Sequence, residues 1–141
     1  MGYSLDQVNN LLIKESGMLG LTGYSDLREI ESEAANGNKD CILALEMNAY
    51  RIKKYIGAYT AVMNGLDAII FTAGIGENSN ELRKKICSDL SYLGIKLNDS
   101  KNIEKSKEIQ EINDSSSKVK ILVIHTNEEL EIAKQTFELL S

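Results

Sequence analysis

Apolar residues recur at alternating spacings of three and four from Ile42 through Leu45, Ala49, Ile52, Ile56 and Tyr59 to Met63. Tyr55, Ala58 and Val62 widen the stripe, while Lys39, Arg51, Lys53 and Lys54 fall largely outside it. The pattern predicts one long amphipathic helix, stopped by Asn64-Gly65. Burying each large side chain is worth roughly 1.5–3 kcal/mol, which makes this helix the anchor of the core. A stripe so wide also suits a subunit interface. Upstream, Leu5, Val8 and Leu12 mark one face of a short helix from Ser4 to Glu15. Gly17, Gly20 and Gly23 then interrupt an apolar run, and so many breaks predict a loop with close backbone packing. Ser25-Asp26 is a cap for the next helix, from about Leu27 to Ala35, and Asn36-Gly37-Asn38 ends it.

Beyond the long helix the period changes. Leu66 to Phe71 shows no polar alternation after Asp67, which predicts a strand buried on both faces. A glycine-bearing turn follows at Thr72 to Gly76. A helix then opens near Glu77 to Ser79 and runs to Leu90, packing Leu82, Ile86 and Leu90. After the turn Tyr92-Leu93-Gly94, residues Ile95 to Leu97 read as a short strand. From Asn98 to Lys118 the chain turns polar and ends in Ser115-Ser116-Ser117. This predicts an exposed excursion with one short edge strand around Ile109 to Ile112. Val119 to Ile124 is a second buried strand, followed by a helix with the stripe Leu130, Ala133, Phe137 and Leu140. Buried strands alternating with helices give an α/β fold, residues 1–141 as one domain, with the two main strands parallel.

Composition narrows the function classes. The chain has 141 residues, 43% apolar and 26% charged, ordinary for a soluble domain with a real core. A net charge of −5 without a basic cluster argues against a nucleic-acid surface. No apolar run is long enough to span a membrane, and the N-terminus lacks a signal-peptide pattern, so a cytoplasmic location is expected. Cys41 and Cys87 have no partner spacing for metal or redox chemistry and are expected to be reduced and part-buried. The single histidine, His125, excludes a multi-histidine metal site.

Three stretches carry candidate chemistry. At Phe71-Thr72-Ala73-Gly74-Ile75-Gly76-Glu77-Asn78 a strand–turn–helix junction leaves free backbone N–H groups and admits a ligand close to the backbone, which suits a nucleotide. A plain helix entry needing two glycines is the other reading of that spacing. At the second strand end, Thr126 with Glu129 forms a capping box. Glu128 then either answers the helix dipole or holds a divalent cation beside a phosphate. His125 reads as a packing or hydrogen-bonded residue. Ser25-Asp26-Leu27-Arg28 is either a capped helix start with a solvated arginine, or a site where Arg28 meets a planar group and Asp26 a ribose hydroxyl or base amine.

Together these stretches resemble acetate kinases. Phe71 to Asn78 is similar to that family's adenosine-binding motif, Ser25-Asp26-Leu27-Arg28-Glu29 to its adenine-pocket segment, and Thr126-Asn127-Glu128-Glu129 to its C-terminal magnesium segment. Tyr50 to Tyr59 resembles its long helix, and the order of the motifs agrees from about Leu5 to Leu140. The resemblance implies the C-terminal part of an actin-like, ribonuclease H-like ATPase fold of the acetate and sugar kinase, heat-shock ATPase and actin superfamily, a mixed sheet flanked by helices. It implies ATP or ADP as substrate with Mg2+. Gly74, Ile75, Gly76, Glu77 and Asn78 would line the adenosine and α-phosphate side. Asp26, Leu27 and Arg28 would border adenine and ribose, and Glu128 would serve the metal. It also implies a homodimer through the C-terminal domain.

Two positions depart from the family pattern: Tyr24 stands where a second serine is usual, and His125 where a proline is common. The family's acetate pocket, catalytic aspartate, phosphate loop and stabilising Arg and His lie upstream of the segment resembled. No catalytic residue is therefore expected here, acetate would be bound by the N-terminal part, and the chain alone should lack kinase activity. A stand-alone nucleotide-binding or dimerising module, or part of a propionate or butyrate kinase, is the alternative.

Overall fold

The structure is a computed structural model that describes residues 2–106 and 108–140. Lys107, inside the expected excursion, lies outside the described residues, as do the terminal Met1 and Ser141. The chain divides into two compact units, residues 1–59 and 60–141.

The first unit is helical. Helix α1 (Leu5–Lys14) opens on a capping box in which Ser4 and Gln7 satisfy each other's backbone N–H groups. Gly17 to Thr22 form a short helix, α2, where glycine spacing predicted a loop. The six-residue helix ends at Gly23, whose φ of +80° is open to glycine at little cost. The expected close packing is found at Gly20, where a Cβ would come 2.7 Å from the Glu15 carbonyl oxygen.

Helix α3 (Leu27–Ala35) starts at Asp26, as its capping chemistry predicts. Helix α4 (Lys39–Val62) is capped by Asn38, whose Oδ1 accepts from the Asp40 and Cys41 N–H groups. Ile30, Cys41 and Leu45 form the buried core here, with Met18, Tyr24, Leu27 and Ala34 packed against it. Leu45 and Ala49 are buried along the predicted stripe, but Tyr59 and Met63 at its far end are exposed.

The second unit carries a three-stranded mixed sheet of order β1-β3-β2. Strands β1 (Ala68–Phe71) and β3 (Lys120–Val123) pair in parallel, with Ile69 opposite Ile121 and Phe71 opposite Val123. The edge strand β2 (Gln110–Glu111) pairs antiparallel with β3, inside the range where an edge strand was expected. Ile95 to Leu97 contributes only a single bridge, Leu97 to Asn113, instead of a strand. Phe71, Ile121 and Val123 are buried on one sheet face, while Ile70 between them is 55% exposed, so β1 is not covered on both faces.

The excursion also needs correction. Asn102, Ile112 and Asn113 within residues 98–118 are buried, the first on helix α7 (Asp99–Ile103). Helices α5 (Ala73–Asn78), α6 (Asn80–Cys87) and α8 (Glu128–Leu140) complete the unit. Both cysteines are buried. Among the described residues no helix is long and apolar enough to cross a membrane.

Candidate nucleotide site

Backbone geometry at the end of β1 sets the site. Thr72 is extended, and Ala73 then takes a φ of +59°, a costly conformation for a residue with a Cβ. That turn puts the chain into helix at Ala73, several residues before the Glu77 start that the spacing predicts. Ser79 interrupts it with extended backbone, and its hydroxyl accepts from the Leu82 N–H to start α6. The proposed ligand segment Gly74 to Asn78 therefore lies within the short helix α5. Asn78 closes its end by donating from Nδ2 to the Gly74 carbonyl at 2.7 Å.

The two glycines differ physically. A Cβ on Gly76 would lie 3.2 Å from the Phe71 carbonyl carbon, so this position brings α5 tightly against the end of β1. A Cβ on Gly74 would meet nothing within 4 Å.

The structure joins α5 to the second candidate stretch through Glu77. Its Oε1 accepts from the Thr126 N–H at 2.9 Å and from the Thr126 hydroxyl at 3.1 Å. Its Oε2 lies 2.8 Å from His125 Nδ1. The Glu77 carboxylate is thus engaged inside the protein on both of its oxygens. The capping box expected from Thr126 and Glu129 is replaced: Thr126 turns to Glu77, and Asn127 caps α8 by accepting from the Leu130 N–H at 3.0 Å. Glu128 stands exposed in the first turn of α8.

Hydrogen bonding sets the charge states here. Led by the Thr126 N–H and then by His125, these donors hold the Glu77 carboxyl down at about 2. His125 Nε2 lies 2.7 Å from the Ser106 carbonyl oxygen, so both ring nitrogens face acceptors and the doubly protonated ring satisfies both. Glu77 first, and the Ser106 carbonyl second, push the His125 pKa above its ordinary value.

A pH dependence follows. Glu77, depressed from 4.5, adds stability that is present above 4.5 and lost as pH falls towards 2. His125, raised from 6.5, adds stability that is full below 6.5 and lost as pH climbs through its folded pKa. Other depressed carboxylates, Asp26 among them, share the acid limb, but the chain has one histidine. The urea midpoint should therefore decline as pH rises above about 6.5, and His125→Gln should flatten that limb. An unchanged decline in the variant would refute the assignment.

In the first unit Asp26 Oδ1 accepts from the Arg28 N–H at 2.9 Å and from Arg28 Nε at 3.0 Å. The Arg28 side chain is 88% exposed, and its bonds hold the Asp26 carboxyl at about 2. A shallow cleft of about 330 Å³ beside Arg28 is lined also by Tyr24, Glu29, Ser32 and Glu33. Leu27 is half-buried and packs against the buried core of this unit.

Two residues of the second unit carry no motif. Arg83 on α6 is buried and donates from Nη1 to the Gly76 and Glu77 carbonyls at 2.8 and 2.9 Å. Its Nε and Nη2 donate to the side chain and backbone carbonyl of Asn102. The available signal was position: Arg83 falls among Leu82, Ile86 and Leu90, a charge inside an apolar helical stripe. Asn102 had no such signal. Glu77, Asn78, Arg83, Asn102, Ser106 and His125 all border one cleft of about 410 Å³.

Comparison with known proteins gives a consistent result. A model of the acetokinase family matches residues 1–134. The chain is 63% identical over 140 residues to an acetate kinase of Flavobacterium johnsoniae, covering 99% of the chain and 36% of that protein. An acetate kinase of Heliobacterium modesticaldum is 53% identical, with 35% of its length covered. Among solved structures, the acetate kinase of Porphyromonas gingivalis superposes with a TM-score of 0.87 at 42% identity over 99% of the chain and 35% of its own. A propionate kinase of Francisella tularensis gives 0.84 at 42% identity, over 94% of the chain and 33% of its own. The chain spans about 35% of the length of these curated relatives.

Proposed function

The chain belongs to the acetokinase family, and from that premise we propose that it is the C-terminal, nucleotide- and magnesium-binding part of a kinase that phosphorylates a short carboxylate. The observation that carries the reading is the union of the two motif stretches through Glu77. Its bonds to His125 and Thr126 tie α5 to the residues that lead into α8, which supports reading Gly74 to Asn78 and Glu128 as parts of one site. We assign Gly74, Ile75, Gly76, Glu77 and Asn78 to the adenosine and α-phosphate side, Glu77 through its backbone. Asp26, Leu27 and Arg28 are assigned to the adenine and ribose, Leu27 by supporting the helix start rather than by contact.

Glu128 is the assigned magnesium residue. Among the described residues no three His, Cys, Asp or Glu side chains cluster as a metal cage. One exposed carboxylate fits a magnesium ion that keeps water and phosphate oxygens as its other ligands. When bound, the ion neutralises charge on the phosphates of ATP or ADP. Acetate is the proposed acceptor, bound by residues outside this chain. The equal 42% identity to acetate and propionate kinase structures extends the acceptor to short carboxylates as a class. The exposed Leu43, Met47, Tyr50 and Tyr55 along α4 support pairing with a second copy.

Grafting tests the reading. Placing this chain in the Flavobacterium johnsoniae enzyme, in exchange for the segment it matches, should preserve acetyl phosphate formation from ATP and acetate. The isolated chain should form none. A folded but inactive graft, or turnover by the chain alone, overturns the proposal. A stand-alone binding module predicts the inactive graft with ATP still bound.

A further inference from the structure

Asn102 lies in a stretch whose composition reads as solvated surface, yet it is 2% exposed and makes no ordinary surface contact. Its Nδ2 donates to the Asn80 carbonyl at 2.9 Å. Its Oδ1 accepts from Arg83 Nε at 2.8 Å, and its backbone carbonyl accepts from Arg83 Nη2 at 2.8 Å. The remaining nitrogen, Nη1, reaches the Gly76 and Glu77 carbonyls. A guanidinium is planar with donors in a fixed fork, so holding two of its nitrogens dictates where the third points.

We infer that Asn102 is a positioning residue for the segment Gly74 to Asn78, acting through Arg83. The two carbonyls that Arg83 holds belong to peptide planes that also carry the Glu77 and Asn78 N–H groups. The end of α5 therefore cannot turn without breaking bonds anchored on α7. The same stretch reaches α5 a second time, because the Ser106 carbonyl bonds the His125 ring that holds Glu77. All four oxygens around Arg83 are neutral, so the arrangement supplies direction rather than charge pairing. The consequence for ligand affinity rests on the nucleotide reading of Gly74 to Asn78; the positioning itself does not.

The test uses the 15N-labelled chain, with ATP and magnesium as the probe. Asn102→Ala should displace the Gly76, Glu77 and Asn78 amide signals and weaken ATP binding about tenfold. Asn102→Asp keeps an oxygen facing Arg83 Nε but gives up the donation to the Asn80 carbonyl. It should bring the signals most of the way back to native, with affinity within about threefold of wild type. Arg83→Lys keeps the charge without the fork and should displace the same signals. It carries the test if Asn102→Ala does not fold. Native amide positions in a folded Asn102→Ala or Arg83→Lys variant overturn the inference. If the unmodified chain shows no response to millimolar ATP, the nucleotide reading of the isolated chain fails, and the amide positions alone decide the role of Asn102.

Discussion

Replacing Arg83 by methionine is expected to destabilise the second unit by about 3–5 kcal/mol, more than a typical core substitution. Methionine fills much of the same volume, so a large cavity is not the cause. The loss comes from acceptors left behind. Gly76, Glu77 and Asn102 carbonyls and the Asn102 side chain all receive their bonds from this one guanidinium. Each orphaned acceptor costs about 1–3 kcal/mol where it is buried, as at Asn102, and less at the part-buried Gly76 and Glu77 carbonyls, which keeps the sum below simple addition. Burial lowers the Arg83 pKa, but a guanidinium stays charged in the accessible range, so its four bonds carry the desolvation of a full cation. Urea unfolding read at the Ile121 amide, in the central strand, measures the effect. A loss below about 1 kcal/mol would mean that water replaces the arginine, and would remove it as a structural brace.

What the sequence made legible follows the range of each interaction. Helix α3 and the stop of α4 were readable because Asp26, Asn36 and Asn64 act on backbone groups within a few residues. Strands β1 and β3 and their parallel pairing followed from short, mostly apolar runs set between helices. The turn after β1 was misplaced by several residues because Ala73 adopts positive φ, which nothing in an alanine announces. Thr126 was assigned to a local capping box, but Glu77 competes for its hydroxyl across 49 residues, and Asn127 takes the cap. The apolar face of α8 shows the same limit. Leu130 and Phe137 stand exposed, so periodicity located the helix but not what covers its stripe. The candidate site divides likewise. Its motif residues were legible, whereas Arg83 and Asn102 depend on a contact 19 residues apart between helices of unrelated pattern.

The glycines of α5 should separate folding from ligand approach. Gly76→Ala is expected to cost about 1–3 kcal/mol, because the added methyl meets backbone of Phe71 at 3.2 and 3.4 Å. Backbone at the end of a paired strand cannot withdraw as a flexible side chain could, and Phe71 is itself buried and paired with Val123. Gly74→Ala should leave stability within about 0.5 kcal/mol of wild type, since its Cβ enters open space and alanine favours helix. If a nucleotide lies against that open face, the same methyl should weaken ATP binding by about tenfold or more, the equivalent of 1.4 kcal/mol. Urea midpoints of both variants, with ATP affinity measured in the grafted enzyme, give the four numbers needed. Unchanged affinity in Gly74→Ala would place the nucleotide elsewhere. Equal destabilisation by both variants would instead show that the α5 glycines serve only the turn.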